Sequence, residues 1–316
     1  MPITAEQRER RRGRLGASDI AAVLGLDPYK SAYDVYLEKT LATDDIDDNE
    51  AIDIGNRFER PLLEWAAEQL GITVELDDPA YLEVSRADDS IAAANLDARQ
   101  VVFTGGGGGL PTPGDVGLEA KTTSNPQEWG DQLVDEVPDR VAVQTTWQCY
   151  VADLRLVWVP VLMAKRDRLH RRLYRVDRDP ALLDVIVPRC HAWWEHHVVG
   201  GVPPSDSVPS LELLARVRRI PDKVAAIDAE VVEAWDAARA VRLAAEKDEE
   251  AAKALLLAAL GDAEAADYGD PVKIVTYLSQ SRRGIDSGKL KREFPEVAEA
   301  VEAVSAFRVL RNVKRK

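Results

Sequence analysis

The residues richest in chemistry are Asn95-Leu96-Asp97 and, across a glycine-rich segment, Leu118-Glu119-Ala120-Lys121. Two carboxylates at the ends of neighbouring strands can converge on one point. Glu119 and Lys121 are two apart, so on a strand they project from the same face. Two acids and a lysine at one place suit a hard cation and a water, and oxygen ligands select magnesium or manganese. Such a cation polarises a phosphoryl oxygen and lowers the pKa of a bound water. Lys121 would position that water or stabilise pentavalent charge. A Glu-x-Lys tripeptide alone describes an ordinary solvated strand. Its surroundings single this one out: an apolar lead-in at Val116-Gly117-Leu118, an aspartate ending an upstream strand, and a following helix that carries Gln144.

The elements that must position these residues follow from pattern. Ser18 to Gly25 reads as a short helix capped by Ser18 or Asp19 and stopped by Gly25. Tyr33–Leu41 and Ile52–Leu70 are further helices, and Pro61 predicts a kink or a helix start near Glu59. Ile72–Glu75, Tyr81–Val84, Ile91–Asp97, Arg99–Thr104 and Val116–Lys121 are expected as extended segments. Gly105–Gly109 and Leu110–Gly114 are expected to turn between the last two. Then come a helix at Arg140–Val151, strands at Leu154–Met163 and Leu169–Val176, and a helix at Pro180–Val199. This order predicts an α/β core with a mixed central sheet and helices on both faces. Residues 200–209 read as a linker. Ile220, Val224, Ile227, Val231, Ala234, Ala238 and Val241 step by three and four, the spacing of a helical hairpin or coiled coil. A small α+β extension is expected beyond it, with a strand at Val272–Leu278, helices at Ser287–Phe294 and Glu296–Val304, and an extended Phe307–Val313.

Asp…(Asp/Glu)-x-Lys resembles the core of the PD-(D/E)XK nucleases, whose fold is restriction-endonuclease-like. Further segments resemble the YqaJ/lambda-exonuclease branch, the phage recombination exonucleases. They are Arg11-Arg-Gly-Arg-Leu-Gly-Ala-Ser18-Asp-Ile-Ala with Pro28-Tyr-Lys-Ser31, Gly55-Asn-Arg-Phe-Glu59-Arg-Pro61, Gln144-Thr-Thr-Trp147-Gln148, and Trp193-Trp194 ahead of Pro203-Pro204. The tail from Thr276 to Leu310 is also similar to that branch.

The resemblance implies that Asp97 and Glu119, helped by the Ala120 carbonyl, hold the metal. It implies that Lys121 orients the water, that Glu59 lies beside the site, and that Gln144 or Gln148 steadies the lysine or the water. Arg11 and Ser18 would receive the 5′-phosphate of a DNA end, with Arg14 as an alternative to Arg11 and Asn95 nearby. The sequence departs from the family where Thr146 replaces a second glutamine and where Leu96-Asp97-Ala98 replaces Pro-Asp-Gly. The implied activity is magnesium- or manganese-dependent 5′-to-3′ digestion of double-stranded DNA ends, leaving 3′ single strands. A ring-like homo-oligomer, a single-strand annealing partner and the bacterial cytoplasm, with a phage or prophage origin, come with it. A same-fold endonuclease is the alternative, and it would nick supercoiled circles. A non-catalytic DNA-binding or assembly protein is a second alternative, which the intact Asp97, Glu119 and Lys121 disfavour.

Composition sets the outer bounds. The 316 residues are 46% hydrophobic and 30% charged, enough for a substantial core. No apolar run is long enough to span a membrane, and no secretory leader is expected from the first residues. Two cysteines, Cys149 and Cys190, fit a reducing compartment and exclude a four-cysteine iron–sulfur site. Cys190, His191, His196 and His197 cross helix faces and read as structural rather than zinc-binding. Trp129, Trp147, Trp158, Trp193 and Trp194 read as core, with base stacking as the alternative. The formal charge of −14 runs against a DNA partner, but it is uneven. Six carboxylates lie in residues 44–53, whereas bases cluster at 8–14 and again after 281. A confined basic track on an acidic exterior is expected. The expected division is a nuclease domain at 1–205, a helical segment at 206–265 and a basic segment at 266–316.

Overall fold

The computed structural model describes residues 11–43, 50–103, 111–130, 136–165, 168–221, 223–270, 273–281, 283–302 and 310. The expected turn at Gly105–Gly109, the acidic run at 44–49 and, apart from Leu310, the extended Phe307–Val313 lie outside them. The chain divides into two units, Met1–Asp222 and Lys223–Lys316.

In the first unit, α1 (Ala17–Val23), α2 (Ala32–Thr40) and α3 (Glu50–Leu70) precede a six-stranded mixed sheet. Its strands are β1 (Val74–Glu75), β4 (Ala98–Phe103), β5 (Pro111–Leu118), β6 (Lys121–Thr123), β7 (Leu156–Lys165) and β8 (Arg168–Asp177). A separate hairpin pairs β2 (Glu83–Ser85) with β3 (Ala93–Asn95). The strand β7 is the spine of the sheet. It runs parallel to β5 and to β6 on one side and antiparallel to β8 on the other. Its alternation explains the layers, because successive side chains point to opposite faces. Val157, Val159, Val161 and Met163 pack with Cys149 and Val141 of α5 (Asp139–Val151). On the opposite face Trp158 and Leu118 pack under Leu63 and Ala66 of α3. α1, α5 and α6 (Pro180–Trp193) share a further core around Ile20, Trp147 and Ile186.

Gly117 marks how close these layers lie. A Cβ there would meet Leu154 Cδ1 at 2.7 Å.

Several expectations are corrected. α3 starts at Glu50 and runs through Pro61 rather than starting near Glu59. Proline inside a helix costs about 3 kcal/mol, and burial of Leu62, Leu63, Ala66 and Ala67 just beyond it offsets this. Tyr81–Leu82 belongs to a short helix, α4 (Pro79–Leu82), capped by the Asp78 side chain on Ala80 N at 2.9 Å. Pro111–Gly114 is strand and not turn, because β4 pairs as far as Phe103 with Pro111. Val199 ends a π-helical turn, Trp194–Val199, that follows α6. The segment at 200–217 stays with the first unit: Ser210 N donates to Asp34 Oδ1 at 2.8 Å and Arg218 N to Ala42 O at 2.8 Å. That segment contains α7 (Leu211–Arg216).

The second unit holds one continuous helix, α8 (Ala229–Leu260), where a helical hairpin was an expected form. No glycine or proline interrupts residues 229–260, so nothing turns the chain until Gly261 at φ +61°. After it, β9 (Ala265–Ala266) pairs with β10 (Val275–Thr276), a shorter strand than the expected Val272–Leu278. The helices α9 (Ser287–Glu293) and α10 (Pro295–Ala300) follow. Among the described residues no helix is long and apolar enough to cross a membrane.

Candidate active site

Asp97 sits in the tight connection from β3 to β4, and Glu119 in the break between β5 and β6. Pairing of Ala98 with Leu118 brings those two chain ends together. Asp97 Oδ2 accepts from Ala120 N at 2.8 Å, which ties one carboxylate to the backbone beside the other. Glu119 N donates to Trp158 O at 3.0 Å and so remains anchored to β7.

The Glu119 carboxylate is only 4% exposed and is met on every side by donors. Lys121 Nζ lies 2.6 Å from Oε1, Gln144 Nε2 2.6 Å from the same oxygen, and Gln148 Nε2 2.6 Å from Oε2. The two glutamines stand one turn apart on α5, on the face turned to the sheet. Both bind Glu119, where the resemblance had given one of them to the lysine or the water. Thr146, in the place of the family's second glutamine, is buried in the core. The i, i+4 spacing of two glutamines was the signal in the sequence for this pair.

The charges explain the titration. Burial first, and then the Glu119 charge, push the Asp97 carboxyl well above the usual aspartate range, against the pull of Lys121. Glu59 projects from α3 at the rim and is raised too, by loss of solvent first and by Glu119 second. Burial lowers the Lys121 ammonium, but the charges of Glu119 and Asp97 outweigh it and the net shift is upward. A cavity of about 320 Å³ opens beside Glu59 and Lys121, lined also by Gly55, Asn56, Ala120 and Thr122 among others.

The expected 5′-phosphate residues are placed differently. Arg11 and Ser18 are exposed, and Asn95 is exposed at the end of β3. Ser18 is the second residue of α1 and not its cap. The cap is Gly16, whose N–H donates to Asp19 Oδ2 at 3.0 Å. Arg14, the alternative to Arg11, donates to Ser85 Oγ. Asp19 is the buried charged residue of this segment, with Lys39 Nζ at 2.7 Å and Lys30 Nζ at 2.8 Å. Lys39 also donates to Arg11 O at 2.9 Å, so this ion cluster sets the backbone that presents Arg11. The sequence reading missed Lys39, which pattern alone leaves as an ordinary helix cation.

The other candidates fall into the structure. Trp147 is fully buried, and Trp129 and Trp194 nearly so. Burial pushes the Cys149 and Cys190 thiols up to about 12, so neither is a ready nucleophile. His191 meets the buried Asp89 at 2.8 Å, and Tyr150 donates to the same carboxylate at 2.9 Å. Among the described residues no three His, Cys, Asp or Glu side chains form a ready-made metal cage.

A mixed sheet covered by helices on both faces, with aspartate and Glu-x-Lys converging at strand ends, defines a restriction-endonuclease-like core. Within that class, residues 7–155 are similar to the YqaJ-like viral recombinase domain. Among solved structures, similarity extends to an alkaline exonuclease (LHK-Exo) from Laribacter hongkongensis. It is 15% identical, with a TM-score of 0.43, and 62% of this chain and 94% of that one are covered. LHK-Exo in complex with dAMP gives 18%, 0.47, 62% and 94% in the same order. A phage related exonuclease from Haemophilus somnus 129PT gives 11%, 0.42, 60% and 96%. No curated protein matches the chain.

Proposed function

We propose that the chain is a metal-dependent DNA exonuclease that hydrolyses phosphodiesters from the 5′ end of linear double-stranded DNA. The reading rests on one observation: hydrogen bonds bring Asp97, Glu119 and Lys121 together, and Lys121 lines a cavity. Paired carboxylates that repel one another in a partly dry site are a poor arrangement for stability and a good one for a cation.

The donors present fit a hard divalent ion. They are all oxygen, from Asp97, Glu119 and the Ala120 carbonyl, with Glu59 at the rim. Magnesium or manganese held there would supply Lewis-acid polarisation of the scissile phosphate. The chain's own groups do the rest. Lys121 presents an ammonium, kept protonated by Glu119 and Asp97, toward the attacked phosphorus or its water. Gln144 and Gln148 hold the Glu119 carboxylate in one orientation. Arg11 and Ser18 would take the 5′-phosphate from the exposed side, with Arg14 as the alternative to Arg11 and Asn95 nearby.

Products are nucleotides and a 3′ single strand, which an annealing protein would receive. A ring-like homo-oligomer would keep the duplex threaded. The bacterial cytoplasm is the expected setting, and the nuclease work is assigned to residues 1–205, with 206–265 and 266–316 as helical and basic accessory segments.

Linear duplex labelled at the 5′ end in one sample and the 3′ end in another tests this. Release of the 5′ label first, with magnesium and with supercoiled circles left intact, is expected. Nicked circles would replace the exonuclease with an endonuclease. Digestion by Glu119→Ala at the wild-type rate would remove the site.

A further inference from the structure

A second cavity, also about 320 Å³, is lined by Pro126, Trp129, Met163, His170, Arg172 and Tyr174. Register fixes where it lies. Lys121 pairs with Val161, which pairs with Arg172, and Thr123 pairs with Met163, which pairs with His170. Directly paired residues project from one face of a sheet, so Lys121 and Arg172 share a face and a row, two strand spacings or about 10 Å apart at the backbone.

The strand β8 is rich in cations, and charged edge strands commonly serve only to block sheet addition. That accounts for its outward residues. Arg171 lies over Trp65 at 4.7 Å, and Arg175 is held by Asp177 at 2.7 Å. It does not account for a histidine and an arginine that line a cavity and have no ion-pair or hydrogen-bond partner among the described residues. The walls are built as well. Tyr174 OH donates to Gly130 O at 3.0 Å, and Trp129 packs on Tyr174 with centroids 5.3 Å apart. The Trp129 indole N–H is buried without a partner among the described residues, an unmet donor in the wall.

We propose that this pocket seats a phosphate and the adjoining base of a single DNA strand that continues from the phosphodiester at Lys121. Arg172 takes the phosphate through charge-assisted hydrogen bonds, with His170 as a second donor. Trp129 and Pro126 form the apolar wall against which the base packs. The proposal rests on the hydrolytic reading of the Asp97–Glu119–Lys121 site.

The test uses the full chain and a dye-labelled single-stranded oligonucleotide, read by fluorescence anisotropy without divalent cation so that nothing is hydrolysed. Arg172→Ala is expected to weaken binding about tenfold, the loss of one charged hydrogen-bonded contact. It should also flatten the log–log salt slope by about 0.7, the share of one phosphate on a single strand. Arg172→Lys should keep the slope, and Arg171→Ala, on the opposite face, should keep both quantities. Circular dichroism of each variant separates lost binding from lost folding, and His170→Ala gives a second, milder probe of the same pocket. The proposal is overturned if folded Arg172→Ala and His170→Ala both bind like the wild type, if the wild type binds no single strand, or if polyglutamate displaces the strand as well as DNA does. Strand binding through Arg172 in a protein that digests no DNA would leave the pocket standing and remove the hydrolytic reading instead.

Discussion

Gln148 and Glu119 meet inside the protein: the amide of the fully buried glutamine donates to Glu119 Oε2 at 2.6 Å. The same amide reaches Asn95 O at 3.3 Å, so one side chain of α5 bridges the strand that leads to Asp97 and the carboxylate across from it. Its own oxygen is buried without a partner among the described residues.

This bridge predicts that Gln148→Leu is more damaging than Gln144→Leu. Gln148→Leu strips the hydrogen-bond donor that Glu119 Oε2 has among the described residues, whereas Lys121 still covers Oε1 after Gln144→Leu. A buried carboxylate oxygen left unmet costs about 1–3 kcal/mol. Urea midpoints and digestion rates of the two variants check the ordering; equal effects would contradict it.

Asp97→Asn should raise the thermal midpoint of the metal-free protein while removing digestion. The folded chain holds the Asp97 proton more tightly than the unfolded chain does. Ionisation therefore destabilises the fold as pH rises from the usual aspartate range through the raised folded value, and the penalty is fully present above it. The neutral amide removes that penalty at pH 7 and can still accept from Ala120 N. A gain of about 1 kcal/mol corresponds to roughly 2–4 °C in a unit of this size. Melting curves at pH 4 and pH 7 should show the gain only at the higher pH.

Divalent cation should act in the opposite sense. Wild-type protein should gain about 2.7 kcal/mol at a hundredfold excess of magnesium or manganese over its dissociation constant. Chelation should reverse the gain, and Glu119→Gln should lose most of it. A thermal-shift titration reads this without reference to activity.

Asp19→Ala should unfold the first unit more readily without touching the Asp97 site. Burial raises the Asp19 carboxyl, but Lys30 and Lys39 outweigh it and hold it far below the usual range. Its contribution is present above the ordinary aspartate pKa and is lost as pH falls below it. Lys39, with a side chain only 5% exposed, would keep the Arg11 carbonyl but lose its counter-charge, at about 3–5 kcal/mol. Acid denaturation of wild type and variant should converge at low pH and separate near neutrality.

Arg11→Ala and Ser18→Ala should reduce the preference for 5′-phosphorylated over 5′-hydroxyl ends, with Arg11→Ala the larger effect because a full charge is lost. Rates on the two substrates decide it, and an unchanged ratio would withdraw these residues from the end-binding role.

The sequence by itself determined the local elements and the chemistry they carry. The nearly unbroken apolar run Leu154–Met163 marked a buried strand, and the two-residue spacing of Glu119 and Lys121 put both on one face. These signals are local, and short-range geometry suffices to read them. The boundaries that failed, at Pro61, Tyr81 and Pro111, are places where packing or strand pairing overrides local preference. Tertiary structure alone decided that Asp97 meets Ala120, that Gln148 rather than solvent holds Glu119, and that Asp19 and not Ser18 is buried beside Lys39. It also set Arg172 in the row of Lys121. Each of these depends on strand order and register between residues far apart in the chain, and those are set by burial of whole faces rather than by any one segment.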